Sequence, residues 1–253
     1  MNRVPTTPEF QPSMAICTPM RALANTGGGF HLEPITIQWH RAMKMLLSPQ
    51  GYNVGEIRID GYEVGEARSF AVEEALKRGM KYVLFIDADT LLPQNGMQLL
   101  VYQLDNNPDY DIAAGLYTQK ADPTVPLIWD RWGEGVFWDW TLGDVLKTNI
   151  VAAGTGCMLI RVSLFERLPH SEDVPWFRTE NGEGKGENAD YQYQMSDDIY
   201  FCRRAVMEAG AKMLVDTNVY CKHIDWKTGR MYELRDDALP VRRLAERIGE
   251  AAA

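Results

Sequence analysis

Apolar residues along this chain recur in two ways, as short continuous or alternating runs and at intervals of three and four. Five consecutive apolar residues, Tyr82–Ile86, read as a strand buried on both faces, as inside a parallel sheet. Residues 14–17 predict a short strand that stops at Thr18-Pro19, and residues 55–60 alternate as another. Between these two, Ile35, Trp39, Ala42, Met43, Leu46 and Leu47 recur at helical intervals. They predict an amphipathic helix beginning after Pro34 and ending before Pro49. Ala67, Phe70, Ala71, Ala75 and Leu76 mark a second helix, stopped at Gly79. The order is βαβαβ, a right-handed parallel half-sheet of the nucleotide-binding type. Residues 97–104 then predict a helix and residues 111–116 a strand. Helical spacing returns at Ile199, Cys202, Val206 and Ala209 with a stop at Gly210, and residues 212–215 and 219–223 read as strand segments.

The stretches between are less regular. Residues 129–140 hold four of the seven tryptophans, set among Asp, Arg and Gly rather than in a core-like pattern. They form either a satellite hydrophobic cluster or an aromatic platform for a sugar or other flat ring. Residues 178–188 are polar and glycine-rich and read as a mobile loop; residues 21–34, with three consecutive glycines, read as a surface loop. Residues 1–12 are rich in Pro and Thr and read as loose. The charged segment 226–253, with a helix expected from about Pro240, reads as an appendage packing on the main domain or on a partner, a second copy included.

Composition narrows the class. At 253 residues, 45% hydrophobic and 24% charged, the chain can bury one substantial core plus a short appendage. A net charge of -9 argues against a polyanion binder, although Arg242, Arg243 and Arg247 could form a local patch and nucleic acid stays open as an acceptor. Cys17, Cys157, Cys202 and Cys221 are widely spread with no C-x-x-C pair, and read as reduced core residues. No apolar run reaches the length of a membrane span, and residues 1–13 lack a signal-peptide core. The expectation is a soluble, unprocessed, cytoplasmic protein.

Chemistry enters where the strand at 82–86 ends in two carboxylates, Asp87 and Asp89. Ligands of open α/β sheets bind at the carboxyl ends of the strands, so both acids stand where a ligand would sit. Two neighbouring carboxylates at an apolar rim repel each other and lose hydration, which cations or hydrogen-bond donors must offset. A divalent metal carrying a phosphorylated substrate does so, because carboxylate and phosphate oxygens together fill the shell of Mg²⁺ or Mn²⁺. The bland alternative is a polar turn after a strand. Ser196, an N-cap candidate, puts Asp197 and Asp198 in the first turn of a helix, whose dipole favours their ionised form. Capping explains one such Asp; an adjacent pair after a glycine-rich loop also suits a general base. His223, at a strand end, is either structural or a third metal ligand.

Taken in order, the chain shows Thr18-Pro19, then Gly65-Glu66-Ala67-Arg68-Ser69 opening a helix, then Phe85-Ile86-Asp87-Ala88-Asp89. After these come Gly154-Thr155-Gly156-Cys157 running on to Arg161, Asp197-Asp198 with Arg204 beyond, and His223. This ordered set resembles a nucleotide-sugar-dependent glycosyltransferase of the GT-A fold, similar to the family 2 type, over about residues 14–225. The resemblance implies an α/β fold, Rossmann-like, with a mainly parallel central sheet flanked by helices and a C-terminal helical appendage at 226–253. Within a catalytic domain at 13–225, residues 13–118 would bind the nucleotide sugar and residues 119–225 the acceptor.

The same resemblance implies roles. Asp89 would ligate a Mn²⁺ or Mg²⁺ ion that bridges the donor diphosphate, Asp87 would contact the donor ribose or the metal's water shell, and His223 would be a further ligand. Thr18, Pro19, Asp60, Arg68 and Ala88 fall on the donor side; Trp129, Trp132, Trp138, Gly154, Thr155 and Gly156 fall on the acceptor side. Asp198 corresponds to the family's base. Asp197 stands where a Glu is usual, and its shorter side chain leaves open which of the two reaches the acceptor. Asp60 matches an acid that contacts the nucleotide base, but Gly-Tyr follows it in place of acidic-Gly-Ser, and Ser69 follows Arg68 where Asn is usual. UDP is therefore the favoured nucleotide rather than a fixed one.

The implied reaction is transfer of a sugar from a nucleotide diphosphate to an acceptor hydroxyl, with inversion if Asp198 is the base. Three rivals stand beside it. A haloacid dehalogenase-like phosphatase shares a strand ending in Asp-x-Asp, but Leu91 occupies a position where that family needs Thr or Val. A sugar nucleotidylyltransferase would need a Gly-x-Gly-x-Arg signal after the first strand, which is absent. A catalytically inactive glycan-binding module would use the tryptophans alone.

Overall fold

The computed structural model describes residues 13–20, 22–24, 30–32, 34–183 and 192–234. Segments 1–12 and 235–253, the helix expected from Pro240 included, lie outside the described residues, as do residues 184–191 of the glycine-rich stretch. The first half runs β1 (Ser13–Cys17), β2 (Ala22–Ala24), β3 (Phe30–Leu32), α1 (Ile37–Met45), β4 (Asn53–Ile57), α2 (Val64–Lys77), β5 (Tyr82–Ile86), β6 (Thr90–Leu91), α3 (Gly96–Asn106) and β7 (Ile112–Leu116). The second half runs β8 (Ile128–Trp129), β9 (Val145–Leu146), β10 (Ala152–Ala153), β11 (Cys157–Arg161), α4 (Val162–Arg167), β12 (Glu180–Glu183) and β13 (Gln192–Met195). It ends with α5 (Asp197–Ala209), β14 (Met213–Tyr220), β15 (Lys222–Ile224) and β16 (Met231–Tyr232).

Seven strands form the central sheet in the order β4-β1-β5-β11-β7-β14-β9. β4, β1 and β5 run parallel, β11 runs antiparallel between β5 and β7, and β14 is again parallel to β7. The expected βαβαβ half-sheet is therefore present. A strand from the second half, β11, sits at the centre of the sheet between two strands of the first half, so one sheet draws on both segments. The segments read separately at 212–215 and 219–223 resolve into the single strand β14, with an irregularity between Asp216 and Tyr220, and the short β15.

Continuous apolar runs mark the buried strands for a simple reason: both faces of the sheet are covered. Along β5, Val83 and Phe85 join the core under α2, α4 and α5, while Tyr82, Leu84 and Ile86 join the core under α3. Helix α1 starts where Thr36 Oγ1 accepts the Trp39 amide at 3.1 Å, satisfying one of the unpaired N–H groups of the first turn. Helix α2 faces the sheet with Ala67, Ala71, Val72 and Ala75, small residues that allow close approach. α5 ends at Gly210 with φ +63°, a left-handed conformation that suits glycine.

The tryptophan-rich stretch belongs to the core after all. Trp140 is buried, and Trp129, Trp132, Phe137 and Trp138 pack against the same cluster as Phe85 and Phe201. Its Asp, Arg and Gly residues face outward between the rings, which hid the burial from a reading by pattern. The four cysteines are buried and unpaired. Among the described residues no helix is long and apolar enough to cross a membrane.

Phe201 stacks on Phe177 with centroids 4.3 Å apart and lies 5.7 Å from Phe165, fixing α5 against the sheet. Replacing Phe201 by Ala should cost about 3–5 kcal/mol of stability through lost burial and the cavity left behind. Urea denaturation should show the midpoint falling accordingly.

Candidate active site

Asp87 and Asp89 follow β5 directly, and the chain there is held on three sides. The Asp87 amide donates to the Gly156 carbonyl at 3.2 Å, the Trp39 indole Nε1–H donates to the Asp87 carbonyl at 2.9 Å, and the Thr90 amide closes a turn onto the same carbonyl at 3.0 Å. The turn aims both side chains into a cleft of about 680 Å³ at the carboxyl end of the parallel strands. Pro19, Arg68, Ala88, Thr155, Gly156 and both Asp197 and Asp198 line the same cleft. Residues far apart in sequence thus meet around one space, as the ordered set implied.

Arg68, on the cleft side of α2, joins the two acidic pairs. Its guanidinium donates to Asp87 Oδ1 at 2.5 Å and, through the other terminal nitrogen, to Asp197 Oδ2. The Arg68 side chain is 3% exposed, against 24% for Asp87 and 15% for Asp197. Burial favours the uncharged arginine, but the carboxylates of Asp197 and Asp87 outweigh it and hold the guanidinium protonated. Asp197 is therefore committed to Arg68.

Asp198 is placed differently. Ser196 holds the N-cap position of α5, but its hydroxyl bonds Asp198 Oδ1 rather than a backbone amide, and the Ile199 amide donates to that same oxygen at 2.8 Å. One carboxylate oxygen is tied down. Burial pushes the Asp198 carboxyl above its usual range, and the neighbouring Asp197 charge pushes it further. A raised carboxyl at a cleft wall is a better proton acceptor than an ordinary surface aspartate.

The second acid of the strand end meets His223. β6, immediately after Asp89, pairs antiparallel with β15, setting His223 opposite Thr90, and the Ile224 amide donates to the Asp89 carbonyl at 2.8 Å. His223 Nε2 lies 3.2 Å from Asp89 Oδ2 and 3.2 Å from the Tyr117 hydroxyl, while Nδ1 donates to the Thr118 carbonyl at 2.8 Å. Burial would raise the Asp89 carboxyl, yet the hydrogen bond and charge of His223, with Lys120 beyond, bring it down to about 2. Asp89 is a carboxylate at any ordinary pH.

These residues fit a divalent cation. The Nδ1–H bond to a backbone carbonyl is the kind of outer contact that orients a ligating imidazole, so a cation entering between the ring and Asp89 would displace the Nε2 proton and meet a lone pair already aimed at it. Two neighbouring ligands of an octahedral ion, each about 2.1 Å away, stand roughly 3 Å apart. The observed 3.2 Å is close to that separation, and it is also the length of the direct contact the two side chains make. Asp87 does not join them, since Arg68 takes it. Among the described residues no group of three His, Cys, Asp or Glu converges on one point. A two-ligand site completed by substrate phosphate and water is usual for Mg²⁺, which is seldom held by an all-protein cage.

No protein-family model and no curated protein matches the sequence. Solved structures do. A197 from STIV superposes with a TM-score of 0.53 at 12% identity, covering 89% of this chain and 95% of that one. GalNAc-T7, solved with UDP, GalNAc and Mn²⁺, superposes with a TM-score of 0.50 at 14% identity, over 87% of this chain but only 45% of its own. The fold is of the GT-A glycosyltransferase type.

Within that GT-A frame the remaining expected residues separate into two places. Thr18 and Asp60 line a neighbouring groove between α1 and the β1–β4 edge rather than the main cleft. There Asp60 Oδ2 pairs with Arg58 at 2.9 Å, while buried Oδ1 finds no partner among the described residues. Gly154 lies behind the cleft wall, where an added Cβ would come within 2.6 Å of the Tyr117 ring; at Gly156 the figure is 2.5 Å. Both glycines let Tyr117 reach His223. Trp129, Trp132 and Trp138 do not line the cleft, because their rings are taken up by the core.

Three residues of the site escaped sequence reading, and a fourth, Arg178, was read only as the start of the glycine-rich loop. Trp39 was legible as a helix apolar position, but not as a donor to Asp87. Tyr117 and Lys120 lie just past β7, where nothing in the local pattern marks them. Arg178 lines the cleft because its backbone packs on Gly65, where an added Cβ would meet Arg178 Cα at 3.0 Å.

Replacing Arg68 by Met leaves Asp87 and Asp197 facing each other without their shared cation. Loss of one partner from a buried ion pair costs about 3–5 kcal/mol, with the low end expected here because both carboxylates reach the cleft. Denaturant melts of Arg68→Met should show that loss.

Proposed function

We propose that the chain is a metal-dependent glycosyltransferase that moves a sugar from a nucleotide diphosphate, UDP most favoured, to an acceptor hydroxyl with inversion. One observation carries it: a single cleft is lined by Asp89, whose carboxylate contacts His223, and by a carboxylate of raised pKa, Asp198, free of the arginine that occupies Asp197. Leaving group and acceptor each find the charge they need. The likeness to GalNAc-T7, which was solved with UDP and Mn²⁺, supports this reading over a phosphatase or an inactive glycan-binding module.

Asp89 and His223 would hold the divalent ion, Mn²⁺ or Mg²⁺. When bound, such an ion supplies Lewis-acid compensation for the charge that gathers on a departing nucleoside diphosphate. Arg68 keeps Asp87 oriented at the cleft floor, where a donor ribose can meet it. Asp60, in the groove beside the cleft, holds the position that the resemblance assigns to the nucleotide base. Asp198 takes the proton of the acceptor hydroxyl as it attacks the anomeric carbon. The charge of its neighbour Asp197 raises its basicity, while the hydrogen bond from Arg68 occupies that neighbour.

General-base assistance contributes about 10²–10⁴-fold, so Asp198→Asn should lower kcat by that order while donor binding persists. In the wild type the base must be ionised, so kcat should rise with pH through an inflection above the usual aspartate value of about 3.9. Steady-state rates across pH check both: the inflection should vanish in Asp198→Asn, and full activity in that variant would return the base assignment to a retaining mechanism. Asp89→Asn should instead abolish the extra thermal stabilisation that Mn²⁺ adds to UDP, measured by differential scanning fluorimetry.

A further inference from the structure

Asp89 already has a cation. The Lys120 ammonium donates to Asp89 Oδ2, the same oxygen that faces His223 Nε2. Lys120 lies four residues past the end of β7, on the loop whose Tyr117 hydroxyl and Thr118 carbonyl hold the two nitrogens of His223. One short loop therefore acts on both members of the cation-binding pair. The two cations of the cleft differ in kind. Arg68 is sealed between two carboxylates at 3% side-chain exposure, whereas Lys120 is 27% exposed on a flexible four-carbon stem. An ammonium so held can leave its carboxylate; a buried guanidinium shared by two acids cannot.

We propose that Lys120 is a built-in counter-cation of this site, holding the Asp89 carboxylate until a divalent ion displaces it. The inference rests on the reading of Asp89 and His223 as metal ligands. Its physical basis is repulsion: an ammonium and a divalent ion cannot both sit on one carboxylate oxygen without a penalty that grows as the dielectric falls. Lys120 thus lowers the affinity of the ligand-free protein for metal. Once displaced, the ammonium stays within reach of Asp89 on its flexible stem, where a phosphate oxygen of the donor can take it as a point-charge partner. Metal and lysine then serve the same diphosphate from two sides, and in the absence of metal the lysine shares with His223 the compensation of the Asp89 charge.

The test is a calorimetric titration of Mn²⁺, without nucleotide, into the full-length wild type, Lys120→Met and Lys120→Arg. Met keeps the stem and removes the charge, so Mn²⁺ should bind at least about tenfold more tightly, while Arg should keep the wild-type affinity. Unchanged or weaker Mn²⁺ binding by Lys120→Met overturns the proposal, and so does an absence of Mn²⁺ binding in all three proteins. A parallel titration of UDP under chelator should show Lys120→Met about tenfold weaker than wild type. If UDP fails to bind wild type with or without Mn²⁺, the donor-site reading fails, while the Mn²⁺ titrations still decide the role of Lys120.

Discussion

The site depends on charge compensation for four carboxylates gathered at the end of an apolar sheet. Asp87, Asp89, Asp197 and Asp198 line one cleft, and each is cut off from part of its hydration. Arg68 neutralises one member of each pair and, by touching both, fixes β5 relative to the tip of α5. The two members it does not touch, Asp89 and Asp198, are those to which the proposed mechanism gives the metal and the proton. Their environments push them apart: one is held ionised beside a histidine, the other raised by burial and by a neighbour of like charge. Division of labour among acids of the same type thus follows from one buried guanidinium.

Much of the scaffold was legible because its strands are buried on both faces. A strand covered on both sides must be apolar at every position, so Tyr82–Ile86 announced itself, and α1 and α2 showed a helical period on one face. What remained hidden was of two kinds. Strands of two or three residues, such as β6 and β15, have no period to read, yet their pairing is what brings His223 to Asp89. The position of β11 inside the sheet is a matter of topology, which an apolar run by itself does not encode.

The site was legible where function demands an unusual residue type in an unusual place, as with two aspartates after an apolar strand. It was illegible where an ordinary residue acquires its role through folding. Lys120 in a polar loop looks like any solvated lysine, and Tyr117 looks like the last residue of a strand. The tryptophans were a different case. Interleaved with Asp, Arg and Gly they left a hydrophobic cluster and an exposed platform equally open, and their packing against the core favours the cluster. The resemblance already pointed to Asp198 rather than Asp197 as the base, and the reach of Arg68 to Asp197 supports the same assignment.

The pairing of Asp89 with His223 as a cation site is the claim on which donor binding and the leaving-group chemistry both stand. Crystals grown with Mn²⁺ and UDP, measured at the manganese absorption edge, test it most directly. The account predicts an anomalous peak within coordination distance of Asp89 Oδ2 and His223 Nε2, in contact with the diphosphate. Ordered UDP in the cleft with no peak there, or a peak bound to other residues, would contradict it.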